Sequence, residues 1–332
     1  MTFPLTLSNK LPSIGMARFL AVGFLVLGLA LAAAGCSEDT EKVTVDFSKT
    51  VPVARPVNQP GSKGALRGAV AAMISPRETF ALYRQLLDYV AHKSGKDLEF
   101  VQRKTYGEIN ELLGKGEIDL AFICSGPYAS GKDRYGFVPL AVPEVQGTTF
   151  YQSYLIVNKN SAFHKLPDLK GHSFAFTDPE SNTGKLVPTF WLAELQERPE
   201  TFFSKVIYTY SHDNSIMAVA RGLVEGAAVD GLVWEYFQTT DPVFTSRTRI
   251  IKKSSPYGIP PLVASRHLPA AERERLQRAL LAMHQDPEGK KILAGLLIHR
   301  FVPLQDDWYE PIRTMQQRLA RLREPPHAAE KP

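Results

Sequence analysis

From Leu66 onward the apolar residues follow two alternating rhythms. Leu66 to Ile74 reads as a strand ending near Ser75-Pro76, and Thr79 to Ser94 carries Phe80, Leu82, Tyr83, Leu86, Leu87 and Val90 at helical spacing, with Gly95 closing it. Leu98 to Gln102 is a strand, Tyr106 to Leu113 a helix stopped at Gly114, and Ile118 to Ile123 a buried strand running into Ser125-Gly-Pro-Tyr128. Strand, helix, strand, helix, strand predicts an α/β domain with a parallel sheet, whose ligands gather at the carboxyl ends of the strands. The loops at Ser75, Lys104 to Tyr106 and Ser125 to Tyr128 are therefore expected to converge.

The rhythm then repeats. Phe150 to Val157 is a long strand, read as the crossing into a second domain. After it come a short linker helix (Lys165 to Lys170), a strand (Ser173 to Phe176), a helix (Gly184 to Leu195), a strand (Val206 to Tyr210), a helix (Ser215 to Gly222) and a strand (Gly226 to Asp230). Arg249 to Lys252 reads as the return crossing, after which Pro260 to Ser265 and helices at Ala270 to His284 and Gly289 to Ile298 complete the first domain. Two α/β lobes joined by two crossings describe a cleft that can close.

The chain before Leu66 follows neither rhythm. Phe19 to Ala34 is almost wholly apolar and preceded by Arg18, which reads as the apolar core of a secretory signal, too short to cross a membrane comfortably. Residues 37–64 are rich in Ser, Thr, charged residues and Pro, the composition of a tether. The expected organisation is a signal over 1–35, a tether over 36–64, lobe 1 over 65–149 and 250–305, lobe 2 over 150–249, and a C-terminal helix and tail over 306–332.

Composition narrows the function. The net charge of the 332 residues is +5, modest and without a Lys/Arg cluster, which argues against nucleic acid as a partner. The eight histidines are scattered without metal-ligand spacing, so neither a metal nor another cofactor is expected. Of the two cysteines, Cys124 lies in a buried-strand pattern and reads as an inert core thiol, and Cys36 follows the apolar run.

The most suggestive chemistry lies in Phe174 to Val187, where an apolar strand leads through Asp178-Pro179 into Ser181, Asn182, Thr183 and Gly184, and then into a helix. A helix's first turn offers unpaired N–H groups and about half a positive charge, so small hydroxyl residues there suit an oxyanion. The residues alone equally allow a capped helix with nothing bound. Gly184-Lys185 is not a nucleotide loop, because Leu186 stands where Ser or Thr would hold magnesium. Ser125, His212 and Asp230 contain the residue types of a hydrolase triad, but no Gly-x-Ser-x-Gly turn is present, and no enzyme is expected. His212, followed by Asp213, Asn214 and Ser215, is by itself as much an ordinary helix cap as a ligand donor.

The order of these features resembles the substrate-binding proteins of phosphate, phosphite and phosphonate ABC importers. The resemblance rests on Lys104-Thr-Tyr106-Gly-Glu, Gly116-Glu-Ile-Asp-Leu-Ala-Phe122, Tyr151-Gln-Ser153-Tyr-Leu-Ile-Val157, Leu169-Lys-Gly171, Asp178-Pro-Glu-Ser-Asn-Thr-Gly184, Ser211-His212-Asp213 and Gly226-Ala-Ala-Val-Asp230. It implies the type II two-lobed periplasmic binding protein fold, an α/β fold with two parallel-sheet domains joined by two crossing segments. It also implies ligand contacts from Tyr106, Ser125, Tyr151, Ser181, Asn182, Thr183, Gly184, His212 and Asp230. Ser181, Asn182 and Thr183 would hold the phosphonyl oxygens, Tyr106 and Tyr151 would close over the ligand, and His212 would donate to an oxygen. Asp230 would accept from a protonated oxygen or a cationic tail. Leu31-Ala-Ala-Ala-Gly35-Cys36 resembles a bacterial lipobox, which implies lipidation at Cys36 and an extracytoplasmic, membrane-anchored location. The implied partners are a phosphorus oxyanion and an inner-membrane ABC permease, with the protein itself a monomer. A sensor module of the same fold, reporting its solute to a membrane kinase or chemoreceptor, uses the same closing cleft and stays open as an alternative.

Overall fold

A computed structural model describes residues 64–323, with the backbone alone for 76–82 and 323. The expected signal, Cys36 and tether lie outside the described residues.

Lobe 1 begins with β1 (Leu66–Val70), α1 (Pro76–Lys93), β2 (Leu98–Val101), α2 (Tyr106–Lys115), β3 (Leu120–Phe122), α3 (Ser125–Tyr135) and β4 (Phe137–Val145). A short strand β5 (Phe150–Tyr151) leads into lobe 2, made of β6 (Ser153–Asn158), β7 (Ser173–Phe176), a π-helical turn (Asn182–Leu186), α4 (Val187–Glu194), α5 (Pro199–Phe202), β8 (Lys205–Tyr208), α6 (His212–Ala220), β9 (Gly226–Asp230), α7 (Gly231–Thr240) and β10 (Thr248–Lys253). The chain returns through β11 (Tyr257–Gly258) to β12 (Leu262–Ser265), α8 (Ala270–Ala282), α9 (Pro287–Gly295), β13 (Ile298–Val302) and α10 (Glu310–Arg323).

Lobe 1 is a six-stranded sheet in the order β13-β4-β12-β3-β1-β2, and lobe 2 a five-stranded sheet in the order β10-β6-β9-β7-β8. Both sheets are mixed rather than wholly parallel. β2, β1 and β3 run parallel, as do β8, β7 and β9, and the remaining pairings are antiparallel. In lobe 1 the antiparallel pairings come from β4, β12 and β13, after the βαβ start, and in lobe 2 from β6, which precedes the parallel strands, and β10, which follows them; such pairings extend a parallel core without needing crossover helices.

Two readings change here. Arg249 to Lys252 is not the return crossing. It lies in β10, paired with β6 in the lobe 2 sheet, and the chain recrosses at β11, which pairs with β5 through Tyr257↔Tyr151 and Gly258↔Phe150. Ser125 to Tyr128 is not a loop but the first turn of α3, whose Ser-Gly-Pro-Tyr-Ala-Ser-Gly sequence carries too little apolar periodicity to announce a helix. Strand β4 also escaped notice, because Pro139 and Pro143 interrupt it; the register of β12 against β4 shifts opposite Pro139, the kind of irregularity that admits proline inside a sheet.

The cores follow from the packing faces. Leu86, Leu87 and Val90 of α1 pack on Leu66, Val70 and Leu120 in lobe 1, and Ile216 and Val219 of α6 pack on Ile156 and Val229 in lobe 2. A third cluster runs from Ile109, Leu113 and Tyr128 through Tyr151 to Phe174, Phe176 and Trp191, and takes in Ile312 and Met315 of α10. The C-terminal helix thus straps both lobes, and its Gln316 amide donates to the Gly126 carbonyl at 3.3 Å.

Candidate functional site

Five helical segments start at the cleft between the lobes, and each begins with a residue singled out above. Tyr106 is the first residue of α2, Ser125 of α3, Asn182 of the π-turn and His212 of α6, and Asp230 is the N-cap of α7. Local sequence fixes these starts. Thr105 and Glu108 form a capping box for α2, the Ser181 hydroxyl accepts from Gly184 N, the Ser211 hydroxyl from Asn214 N, and the Asp230 carboxylate from Leu232 N and Val233 N. Their dipoles point positive ends at one place, while none of the nine residues carries a positive charge.

The side chains meet across the lobes. Tyr106 Oη lies 3.4 Å from His212 Nε2, Asn182 Nδ2 donates to Tyr151 Oη at 3.2 Å, and Tyr151 Oη is bonded to Ser125 Oγ. Tyr106, Ser125, Asn182, Thr183 and His212 are all essentially without solvent exposure. The lobes are latched beside them. Asp178 of lobe 2 accepts from Tyr106 N at 3.1 Å, Glu180 accepts from Asn110 Nδ2 at 2.8 Å, and the Met73 carbonyl accepts from His212 N at 2.8 Å.

Proton positions follow from this geometry. Asp230 N–H donates to His212 Nδ1 at 3.0 Å, so Nδ1 must present a lone pair and the ring proton sits on Nε2. Burial holds the ring neutral by pushing its pKa down to about 3. Nε2–H can therefore donate to Tyr106 Oη, which frees the Tyr106 hydroxyl proton for another acceptor. In the Ser125–Tyr151 pair one hydroxyl donates to the other, Asn182 donates to Tyr151, and one hydroxyl proton is again left over. The Thr183 hydroxyl and Asn182 Oδ1 are buried without a partner. Such groups are costly unless something completes them.

Two carboxyls complete the site. Burial pushes Asp230 up to about 7 against the two backbone N–H bonds that favour its charge, with Glu235 adding to the rise. Its Oδ1 takes both N–H bonds, and among the described residues nothing donates to Oδ2. Burial likewise raises Asp178 to about 6. Cys124 is pushed up to about 11 by burial, with its Sγ accepting from Asn182 N at 3.4 Å, and is no nucleophile. Nor do Ser125, His212 and Asp230 form a relay, since Ser125 bonds Tyr151 and it is the Asp230 backbone, not its carboxylate, that meets the imidazole.

Ser181 and Gly184 sit differently from the rest. The Ser181 hydroxyl caps the π-turn, and Ser181 is also among the residues around a separate cavity with Gly126, Arg134 and Lys185. Gly184 packs so tightly that a Cβ there would fall 2.4 Å from Thr177 Oγ1, and Gly126 would meet the Glu180 carbonyl at 2.8 Å. Both glycines let backbone approach backbone, which is what holds the π-turn against α3 and β7.

Sequence reasoning passed over several partners. Thr177 Oγ1 lies 3.0 Å from His212 Nδ1, Ser215 Oγ lies 3.4 Å from Thr177 Oγ1, and Ser153 Oγ donates to the Thr183 carbonyl at 2.7 Å from a position paired with Asp230. A hydroxyl directly after an apolar strand, as at Thr177, was the available signal.

Residues 69–309 match the family model described as ABC transporter, phosphonate, periplasmic substrate-binding protein. The chain belongs to this family. It is 31% identical over 166 residues to the phosphate-import protein of Mycolicibacterium smegmatis, covering 46% of this chain and 51% of the relative. It is 25% identical over 215 residues to the phosphonates-binding periplasmic protein of Escherichia coli, covering 63% of each. The chain thus matches less than two thirds of the length of these curated relatives. Among solved structures it is similar to the binding protein component of an ABC phosphonate transporter from Pseudomonas aeruginosa, with a TM-score of 0.74 and 24% identity over 80% of this chain and 91% of that one. The fold is the type II two-lobed periplasmic binding protein fold.

Proposed function

We propose that this family member captures a phosphorus oxyanion between its lobes and delivers it to an ABC permease, from an extracytoplasmic position held by a lipid on Cys36. The observation that carries the reading is the surplus of buried neutral donors. Tyr106, one hydroxyl of the Ser125–Tyr151 pair, and Thr183 each have a proton to give, at the point where the helix starts converge. A phosphonyl group supplies several acceptor oxygens, and when one is protonated it also supplies a donor for Asp230 Oδ2 or Asn182 Oδ1. One proton shared between Asp230 and the ligand is enough, and a carboxyl raised to about 7 sits near the middle of that exchange at neutral pH. A fully deprotonated tetrahedral anion such as sulfate offers no proton and leaves the Asp230 carboxylate facing negative charge. The names of the relatives point to the same ligand class: one imports phosphate and another binds phosphonates.

The test is calorimetry on the full chain in detergent, stripped of carried ligand by unfolding and refolding. Phosphorus oxyanions are expected to bind and sulfate is not. Thr183→Val is expected to weaken binding by roughly 1.5–3 kcal/mol, the worth of one charge-assisted hydrogen bond, while leaving the fold intact. Unchanged affinity in that variant would move the site elsewhere.

A further inference from the structure

Two helix starts that face each other across the cleft mirror one another in sequence. Lys104-Thr105-Tyr106 leads into α2 and Tyr210-Ser211-His212 into α6, each with its N-cap in the middle. The residues after the caps form an inner pair, Tyr106 Oη and His212 Nε2, 3.4 Å apart and buried. The residues before the caps form an outer pair over the same gap, with Lys104 Nζ 4.2 Å from the centre of the Tyr210 ring. Lys104 is exposed and Tyr210 half-buried, so the outer pair stands on the solvent side of the inner one. Beyond it lies an open groove of about 430 Å³, walled by Arg103 and Lys104 from lobe 1 and by Thr209, Tyr210 and Asn214 from lobe 2.

Sheet order puts this pair where the lobes separate most. Lys104 follows β2 and Tyr210 follows β8, each the edge strand of its sheet, whereas the crossings β5 and β11 join β4 and β12 to β6 and β10, toward the other edges. Charge and backbone add two further observations. Arg103 and Lys104 are exposed, and among the described residues neither forms an ion pair. The carboxylates of the same two helix starts are turned to other donors, Glu108 to Thr105 N at 2.9 Å and Asp213 to Ser75 N at 2.8 Å. Tyr210 is held in the left-handed region, at φ 59°, by its N–H bond to the Thr177 carbonyl at 2.7 Å. A bulky residue is disfavoured there, where glycine would be at ease, and what tyrosine supplies in return is the ring under the ammonium.

We propose that Lys104 is both the entry and the locking residue of the cleft. With the lobes apart its ammonium, beside Arg103, draws the anion toward a site that has no cation of its own; with the lobes together the same ammonium rests on Tyr210 and slows the anion's escape. The inference rests on the oxyanion reading above and adds how the ligand enters and leaves.

The test is stopped-flow binding of inorganic phosphate and of methylphosphonate to the stripped full-length chain in detergent. Closure is followed by tryptophan fluorescence, because Trp308 packs on Phe150 of the crossing strand at 5.6 Å. Lys104→Met is expected to slow association about threefold at low salt, with the difference vanishing near about 0.5 M salt, and to speed dissociation about two- to fivefold. Lys104→Arg is expected to restore both rates. Tyr210→Leu is expected to speed dissociation by the same two- to fivefold without changing the salt dependence of association, while Tyr210→Phe, which keeps the ring face, retains slow dissociation. Association of Lys104→Met that equals wild type at low salt overturns the proposal, as does a deficit that persists in high salt or dissociation that is unchanged in both Lys104→Met and Tyr210→Leu. Any of these leaves the oxyanion reading standing as long as the wild type binds either probe. Failure of the wild type to bind both removes the two together. Should Tyr210→Leu fail to fold, the variants at exposed Lys104 decide alone.

Discussion

The two lobes bring unequal things to the cleft. Lobe 2 holds a network that closes on itself, with Thr177, His212, Ser215 and the Asp230 backbone bonded to one another, and beside them Thr183, whose carbonyl accepts from Ser153 Oγ and whose hydroxyl is unpartnered. Lobe 1 brings Tyr106 and Ser125, whose side-chain bonds at the cleft run to His212 of lobe 2 and to Tyr151 of the crossing strand. A side chain fixed within its own lobe keeps its aim when the cleft opens, and one fixed only across the gap does not. In the proposed site lobe 2 is therefore the preorganised half, and lobe 1 would complete the shell on closing.

The sharpest way to break this asymmetry is in lobe 2. Gly184→Ala puts a methyl 2.4 Å from Thr177 Oγ1, forcing the π-turn away from β7 and taking Thr183 with it. The expected result is loss of oxyanion binding beyond calorimetric detection, with stability down by about 1–3 kcal/mol from overpacking. Binding within a few-fold of wild type would show that the π-turn is not what the ligand reads.

The latch is the next test. Asp178 accepts from Tyr106 N across the cleft, and its carboxyl is raised to about 6 from an ordinary value of 3.8. Between about pH 4 and 6 the folded state therefore holds the proton that the unfolded chain has released, and this group's contribution to stability falls as pH rises through that window. Asp178→Asn removes that dependence. The ligand-free wild type should accordingly gain stability over the variant as pH is lowered from 7 to 4.5, by at most about 1.4 kcal/mol per pH unit, read from urea unfolding at each pH. A pH-independent difference would mean that Asp178 titrates normally and that the latch does not bury it.

The mildest change is Tyr106→Phe, which removes one lobe 1 hydroxyl and leaves the apolar ring in its buried place. Affinity should fall about three- to tenfold, in the range of one neutral hydrogen bond, with the unfolding midpoint of the ligand-free protein little altered. A loss as large as that from Thr183→Val would erase the distinction between the lobes.

How much of this was legible differs by region for the same reason. The strands at Ser173–Phe176 and Gly226–Asp230 stand where the apolar pattern put them, because a fully buried strand writes its burial into a short run of sequence. The helix at Tyr106 was legible from periodicity and its closing glycine residues. Helix α3 and strand β4 were not, since glycine and proline mask a helix whose stability comes from α2 and α10, and a strand held between two distant partners. The nine candidate residues came from motif order, yet nothing local distinguished Ser181 and Gly184, which cap and pack, from Thr183, whose hydroxyl is left unpartnered.

By itself, the sequence determined the α/β rhythm, its repetition in a second lobe, and the small hydroxyl residues at helix starts, all properties of residues within a few positions of one another. Tertiary structure alone decided where the chain recrosses, which nitrogen of His212 carries the proton, and that Asp230 lies in the wall of a cavity lined from both lobes. Each of these depends on groups far apart in the chain: Tyr151 with Tyr257, His212 with the Asp230 backbone, Tyr83 with Val233 and Leu296. Local pattern carries no information about such distances, because they are set by how two separately folded sheets come to rest against each other.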